Sequence, residues 1–149
     1  MSQEIAELKK ISNIPKNIEI AFITADFNRD YTKQLEDVSQ EFLEEQHFRN
    51  ITKYSVPWAL EIPAMLQRIL EKWSYDLVYC FWVVIRWETS HYDVVCNESA
   101  RGFMNVSLIY ETPLIFWVLT CENKKQVEER IDNWLAIAGL NLLSQSLDV

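Results

Sequence analysis

The chain has 149 residues, with 14 Lys and Arg against 22 Asp and Glu and a formal charge of −8 at pH 7. Its length suits a single domain, residues 1–149, with a core that needs no disulfide or metal. A hydrophobic content of 49% excludes a disordered chain, and the acidic balance argues against nucleic acid or an anionic membrane as the main partner. The longest apolar run, Leu77 to Ile85, is about half of a membrane span.

The beginning of the chain and its cysteines bear on location. The first residues, MSQEIAELKK, lack the apolar segment of a secretory signal, and residues 1–15 are predicted to form a loose arm or a short helix. Cys80, Cys96 and Cys121 are odd in number and lack CxxC spacing. Free thiols in a reducing compartment explain them, which predicts a cytoplasmic protein.

The first half of the chain predicts strand, helix, strand and helix. Ile18 to Thr24 is rich in Ile and Phe, as strands are, and Asp30 or Thr32 can cap the helix that follows. Ile51 to Val56 alternates as a second strand. Pro63 then falls in the first turn of a helix, where proline is tolerated. The apolar stripe of that helix consists of Ile62, Met65, Leu66, Ile69 and Leu70.

The second half repeats this alternation. Leu77 to Ile85 is continuously apolar, as a strand covered on both faces would be. His91 to Ser99 predicts a helix that reaches Gly102 as its C-cap, Leu114 to Leu119 a fourth strand, and Lys124 to Leu143 a closing helix. Alternating elements of this kind predict a four-stranded parallel sheet between helices, a three-layer α/β/α sandwich. Such sheets bind ligands at the carboxyl ends of their strands.

Candidate functional side chains follow these strand ends. Phe27 could stack on a flat heterocycle or be an ordinary aromatic residue between loop and core. Glu61 begins a helix, and the helix dipole alone could explain a carboxylate at that position, with no functional role. Phe116 is a second candidate for stacking, although core packing is the stronger default explanation. Arg130 could bind a phosphate through a bidentate contact or pair with Gln126.

The end of the third predicted strand is the richest in polar side chains. A helix N-terminus with the Thr89 hydroxyl beside it forms an anion site, to which Arg86 adds charge unless it pairs with Glu88. His91 next to such a site is a natural proton shuttle, with a capping or surface role as the alternative. The sequence contains no P-loop, GxGxxG, GxSxG or metal-ligand pair, so it predicts neither a cofactor nor a metal.

Four stretches together resemble the lumazine synthase family: FITADFN, VPWALEIP, SYDLVYCFWVVIRWETSHYDVVCNESARGF and PLIFWVLTCENKKQVEER. They occur in order between about Ile18 and Arg130, which is most of the chain. The resemblance implies a flavodoxin-like fold and a homopentamer, sometimes assembled into an icosahedral shell with riboflavin synthase as a partner. It also implies active sites shared between neighbouring subunits.

The resemblance further implies an activity and a set of site residues. The expected reaction joins 5-amino-6-ribitylaminouracil to 3,4-dihydroxy-2-butanone 4-phosphate and gives 6,7-dimethyl-8-ribityllumazine without a cofactor. By position, Phe27 would stack on the pyrimidine, Phe116 of a neighbouring subunit would close over it, and His91 would transfer protons. The phosphate would be held by Glu88, Thr89 and Arg130. The rest of the substrate pocket would consist of Ala59, Leu60, Glu61, Val83, Val84 and Ile85.

Two other classes of protein compete with this interpretation. A noncatalytic shell-forming or flavin-binding relative would keep the scaffold, but it gives no reason for the joint presence of Phe27, Glu61, Thr89, His91 and Arg130. A flavodoxin-like signalling module would need clustered acidic residues at the strand ends. Only Asp26 follows the first predicted strand.

The tryptophans depart from the family pattern, which has glycine where this chain has Trp58, Trp73, Trp82, Trp87, Trp117 and Trp134. Average usage of about 7% predicts roughly ten glycines, whereas the chain has 2. The free-energy cost of inserting six indoles into packed sites would exceed a total free energy of unfolding of roughly 5–15 kcal/mol. A positive φ at any of these positions would add a backbone penalty. We therefore hypothesise that the six positions are encoded by UGA codons. The source organism would read these codons as glycine, whereas translation with a UGA-as-tryptophan code gives Trp.

If the tryptophans are taken literally, we expect the chain to fold poorly or to bind phosphate weakly. One further departure does not depend on the tryptophans. Asn133 stands where the family commonly has lysine, which affects the final helix and any contribution of lysine to phosphate binding.

Overall fold

The computed structural model describes residues 11–86 and 88–148. Four parallel strands form one sheet in the order β2-β1-β3-β4. They are β1 (Ile20–Ala25), β2 (Ile51–Val56), β3 (Leu77–Ile85) and β4 (Leu114–Cys121). The predicted bounds of β2 and β3 are confirmed, while β1 begins and ends slightly later than predicted and β4 continues to Cys121.

Helices follow every strand in the described part of the chain. They are α1 (Arg29–Glu45), α2 (Ile62–Lys72), α3 (His91–Ile109), α4 (Lys124–Arg130) and α5 (Trp134–Leu147). A short 3-10 turn, Ala59–Glu61, precedes α2, and Pro63 lies in the first turn of α2 as predicted.

The sheet separates two hydrophobic clusters. On one face, Phe22 and Tyr79 pack with Leu35 of α1 and Leu140 of α5. On the other face, side chains of the sheet pack with residues from α2 and α3, including Ile23, Cys80, Leu66 and Val95. All of β3 except Ile85 is buried, because β3 is an interior strand covered by helices on both faces. The predicted three-layer, flavodoxin-like sandwich is confirmed.

The start of α1 differs from the prediction. The N-cap is Asn28, with a left-handed backbone at φ 57°, a conformation that asparagine tolerates better than most residues. Asp30 lies inside the first turn. The Thr32 hydroxyl donates to the Ala25 carbonyl oxygen at 3.0 Å, so it ties α1 to β1 instead of capping the helix.

Two helix ends also differ from the prediction. Gly102 is not a C-cap but lies within α3, which continues to Ile109. A Cβ atom there would lie 2.9 Å from Cγ of Pro63, so glycine permits the close approach of α3 to α2. The predicted closing helix is divided into α4 and α5, because Ile131 is extended and the Asp132 carboxylate accepts from the Trp134 N–H at 2.9 Å.

Residues 1–10 of the predicted loose arm lie outside the described residues. Of the remainder, Ile11 and Ile14 are buried in the same cluster as Phe22. This part of the predicted arm therefore packs on the sheet.

Candidate active site

Hydrogen bonds tie together the loops at the carboxyl ends of three strands. The Asp26 N–H donates to the Val56 carbonyl at 2.7 Å, and the Phe27 N–H donates to the Pro57 carbonyl at 3.1 Å. The side-chain amide of Asn28 donates to the Val83 carbonyl at 2.9 Å. The loop after β1 is therefore anchored to both neighbouring strands, β2 and β3. The sequence analysis missed this role of Asn28, although asparagine in a loop before a helix was an available signal.

A cavity of about 290 Å³ lies at this edge of the sheet, lined by Trp58, Leu60, Glu61, His91 and Val95. The Glu61 carboxylate accepts from the Trp58 N–H at 2.8 Å, which sets the course of the chain after β2. Three of the predicted site residues, Leu60, Glu61 and His91, therefore share one cavity. Trp58 and Val95 are lining residues that the sequence analysis did not assign to the pocket.

Phe27 lies beside this cavity in a stacked aromatic pair. Its ring centroid is 4.5 Å from that of Trp58, with an interplanar angle of 23°. Phe27 is half-buried, whereas Trp58 is 43% exposed. The residue predicted to stack on a planar ring thus stacks on a planar ring of its own chain.

The amino end of α3 brings further predicted residues to the same edge. Glu88 and Thr89 are exposed and directly precede Ser90, the N-cap, while His91 is the first residue of the helix. Backbone N–H groups in the first turn of a helix have no partner within the helix and carry the positive end of its dipole. This end of α3 has the chemistry of an anion site. Trp87 lies outside the described residues.

Arg86 connects the loops after β3 and β4. Its Nε donates to Glu122 at 2.9 Å, and its Nη1 lies 3.8 Å from the Asp93 carboxylate. The guanidinium also lies 4.6 Å from the centroid of the Tyr92 ring, and the hydrogen bond and charge of Glu122 raise the pKa of Arg86. Of the two alternatives for Arg86, pairing is the one observed, but with Glu122 and Asp93 rather than with Glu88.

Arg130 lies in a second cavity of about 280 Å³, which is lined by Trp117, Leu119, Glu129, Arg130, Asp132, Trp134 and Leu135. Its Nη1 donates to the Gln126 carbonyl at 3.0 Å. Burial raises the pKa of the Cys121 thiol at the end of β4, and the positive charge of Arg130 opposes that rise. Within one chain, Arg130 therefore does not share the cavity of Glu61 and His91.

The remaining predicted residues belong largely to the core. Phe116 is half-buried and stacks on Phe103 of α3, with centroids 4.3 Å apart and an interplanar angle of 20°. Ala59, Val83 and Val84 are buried and Ile85 is half-buried. In its own chain, Phe116 packs between β4 and α3 and does not line the cavity of His91.

The described tryptophans fall into two groups. Trp82 and Trp117 are buried on opposite faces of the sheet, whereas Trp58, Trp73 and Trp134 are exposed. Apart from glycine, the described residues with positive φ are Asn28 and His47. The backbone penalty considered for the tryptophans is therefore absent at the five described positions.

Residues 11–86 and 88–148 contain neither a metal-binding cluster nor a membrane-spanning helix. No group of three His, Cys, Asp or Glu side chains among them could hold a metal ion. None of the helices in that part of the chain combines the length and apolarity needed to cross a membrane.

The structure is that of a flavodoxin-like α/β protein with a cavity at the carboxyl edge of its sheet, where proteins of this class bind small molecules. The sequence profile of the 6,7-dimethyl-8-ribityllumazine synthase family matches residues 17–142. A 6,7-dimethyl-8-ribityllumazine synthase of Limosilactobacillus reuteri (strain DSM 20016) is 39% identical over 115 residues, which cover 77% of this chain and 76% of the relative. The chain belongs to the 6,7-dimethyl-8-ribityllumazine synthase family, a family of transferases in riboflavin biosynthesis.

Proposed function

We propose that the chain condenses 5-amino-6-ribitylaminouracil with 3,4-dihydroxy-2-butanone 4-phosphate to form 6,7-dimethyl-8-ribityllumazine. The observation that carries this proposal is the cavity shared by Leu60, Glu61 and His91 beside the Phe27–Trp58 pair. It combines an aromatic surface for a pyrimidine, a carboxylate and an imidazole next to a helix N-terminus. Family membership supports the same activity.

The chemistry requires positioning and proton transfer. The 5-amino group of the uracil attacks the ketone, and water leaves to form an imine. Elimination of phosphate then leaves an enol that becomes a second ketone. The ribitylamino nitrogen attacks this ketone and closes the ring with loss of a second water. His91 at the start of α3 would carry the protons. Holding the two reactants together supplies much of the rate enhancement, so the proposal includes no cofactor.

The uracil and its ribityl chain would occupy the cavity beside β3. Phe27 would stack on the pyrimidine, because a planar aromatic surface is what a flat heterocycle prefers. The ribityl hydroxyls would be held by the segment Ala59, Leu60 and Glu61, and the wall of the pocket would be completed by Val83, Val84 and Ile85.

The phosphate would lie at the amino end of α3. Glu88 and Thr89 would donate backbone N–H groups and a hydroxyl there. Arg130 lies in the other cavity of its own chain, so we propose that the site takes Arg130 and Phe116 from a neighbouring subunit. Each active site would then lie between two chains.

This arrangement requires a homo-oligomer, for which we propose a pentamer or a larger icosahedral shell with riboflavin synthase as a partner. Support comes from exposed apolar side chains on α3 and α5, since exposed apolar patches mark interfaces. Met104, Leu108 and Leu142 line one groove. These three side chains, with Ile109 and Leu147, are 40–79% exposed. We also propose a cytoplasmic location, supported by the thiols of Cys80, Cys96 and Cys121, which form no disulfide.

We further propose that the natural protein carries glycine at the six tryptophan positions. Three of these indoles line the two cavities, Trp58 in one and Trp117 and Trp134 in the other. Glycine at these positions would leave both cavities open. The intact mass of the protein from its source cells tests this proposal: a mass that includes six indoles would overturn it, and sequencing the codons would show why.

An assay of the purified protein with both substrates tests the activity. We expect lumazine and inorganic phosphate to form in equal amounts, with the six-glycine chain more active than the chain as written. The matched comparison is His91→Asn in the six-glycine chain. Binding of lumazine without turnover in every version would instead identify the noncatalytic, flavin-binding alternative.

A further inference from the structure

Hydrogen bonds from their backbone N–H groups fix the positions of Phe27 and Trp58. The Phe27 N–H is bound by the Pro57 carbonyl at 3.1 Å, and the Trp58 N–H is bound by the Glu61 carboxylate at 2.8 Å. Both side chains thus extend from backbone positions that hydrogen bonds hold in place, one after β1 and the other after β2. The stacked geometry, with centroids 4.5 Å apart, lies at the short end of the range favoured by aromatic pairs.

The Trp58 indole has two roles in this arrangement. One face covers the Phe27 ring, and the side chain also forms part of the cavity wall with Glu61 and His91. A second planar ring can stack on the covered face of Phe27 only if the indole moves, because the incoming ring and the indole would occupy the same space against Phe27. Since Trp58 is 43% exposed, it has solvent into which it can rotate.

We infer that, in the chain as written, the Trp58 indole competes with a planar substrate for the face of Phe27 that it covers. This inference rests on the proposed function, which places the pyrimidine on Phe27. In the chain as written, a flat heterocycle reaches this face of Phe27 only after displacing the indole, and its affinity there is lowered by the strength of the aromatic pair. Removal of the indole therefore strengthens binding of the ring.

The test measures the Kd of 6,7-dimethyl-8-ribityllumazine by isothermal titration calorimetry for the full chain and three variants. We expect Trp58→Gly to bind about two- to tenfold more tightly than the chain as written, the range that corresponds to one aromatic pair. Trp58→Ala separates loss of the indole from the added flexibility of glycine and is expected to show the same gain. The matched control is Trp73→Gly, which removes an exposed indole from the end of α2, in a different cavity, and is expected to leave the Kd unchanged.

Repeating the measurement in a Phe27→Leu chain tests whether the gain in affinity depends on the Phe27–Trp58 pair. In Phe27→Leu, the ring that Trp58 covers is missing, so adding Trp58→Gly is expected to give no further gain. A gain that persists in this background would overturn the inference, because it would arise elsewhere in the molecule.

The failures of the inference and of the proposed function are distinguishable. If the chain as written binds lumazine as tightly as Trp58→Gly, the indole does not compete with the ring for Phe27. The proposed binding site for the ring and the proposed function then remain. If the chain as written, every single variant and the six-glycine chain all fail to bind lumazine, the proposed binding site for the ring is refuted, together with the proposed function.

Discussion

The carboxyl edge of the sheet has two halves that differ in how much of a site each assembles. In the half formed by β1, β2 and β3, hydrogen bonds to Pro57 after β2 and to Val83 of β3 hold Phe27 and Asn28 in place, and Glu61 and His91 line one cavity. In the half formed by β4, Arg130 lines a separate cavity of similar size. One half carries the groups that we propose stack on the pyrimidine and transfer protons, and the other carries the arginine that we propose binds the phosphate.

The strand order explains this separation. β4 is an edge strand beside β3, and β3 separates it from β1 and β2. Arg86 lies between the halves and engages acidic groups on both sides, Asp93 in α3 and Glu122 after β4. A single chain thus carries two separate cavities, and under the proposed function a second chain supplies what each half lacks.

The largest expected effect is that of His91→Asn on the first half. Loss of a proton-transfer group typically lowers the rate by about 10²–10⁴-fold, and we expect a fall in kcat of that size in steady-state assays. His47→Asn is the matched control, because His47 is the other histidine, is exposed and has a positive φ that asparagine tolerates. An equal loss in both variants would contradict the role of His91.

Arg130→Ala tests the second half. Hydrogen bonds to charged groups contribute about 1.5–3 kcal/mol, so we expect KM for the phosphorylated ketone to rise about 10- to 150-fold while KM for the uracil changes little. Arg130→Lys is expected to recover only part of the loss, because lysine lacks the bidentate geometry of arginine. The control is Lys125→Ala on the same helix, whose side chain is exposed. Equal effects on the two KM values would argue against a phosphate role for Arg130.

Mixing the two defective variants tests whether the halves meet between chains. If every site takes His91 from one chain and Arg130 from its neighbour, an equal mixture of His91→Asn and Arg130→Ala chains, co-expressed so that they co-assemble, contains intact sites at about one quarter of positions, from random pairing in a cyclic oligomer. We expect recovery of about that fraction of the activity. A co-assembled mixture no more active than the separate variants would place the whole site in one chain.

The smallest expected effect is that of Arg86→Gln, which removes the link between the halves. Exposed ion pairs contribute little and are screened by salt. We expect a slightly lower Tm at low salt and no difference in about 1 M salt, where the Debye length is only about 3 Å. Thermal unfolding followed by circular dichroism checks this, and a difference that is unchanged at high salt would show that Arg86 acts through packing instead.

The parts of the fold that local pattern could predict are those in which burial follows the order of the residues. The continuous apolar run of β3 and the position of Pro63 in α2 were predicted correctly, since each depends on neighbours in sequence. Gly102 was misassigned as a helix end because its reason is a contact with Pro63 in another helix. No local pattern contains that contact.

The candidate site divides in the same way. The types and order of its residues were read from motifs, and Leu60, Glu61 and His91 do share a cavity. The stacking of Trp58 on Phe27 was not predicted, because it joins loops that follow different strands. Likewise, nothing in the spacing of Arg130 indicated that it would line a separate cavity.

The amino-acid sequence by itself determined the alternation of strands and helices, the family, and which polar and aromatic residues follow each strand. Only the tertiary structure decided which of those residues meet: Glu61 with His91, Trp58 with Phe27, and Arg130 with neither pair. The physical reason is that hydrophobic periodicity acts over a few residues. Contacts between loops depend instead on strand order and on hydrogen bonds between segments far apart in the chain.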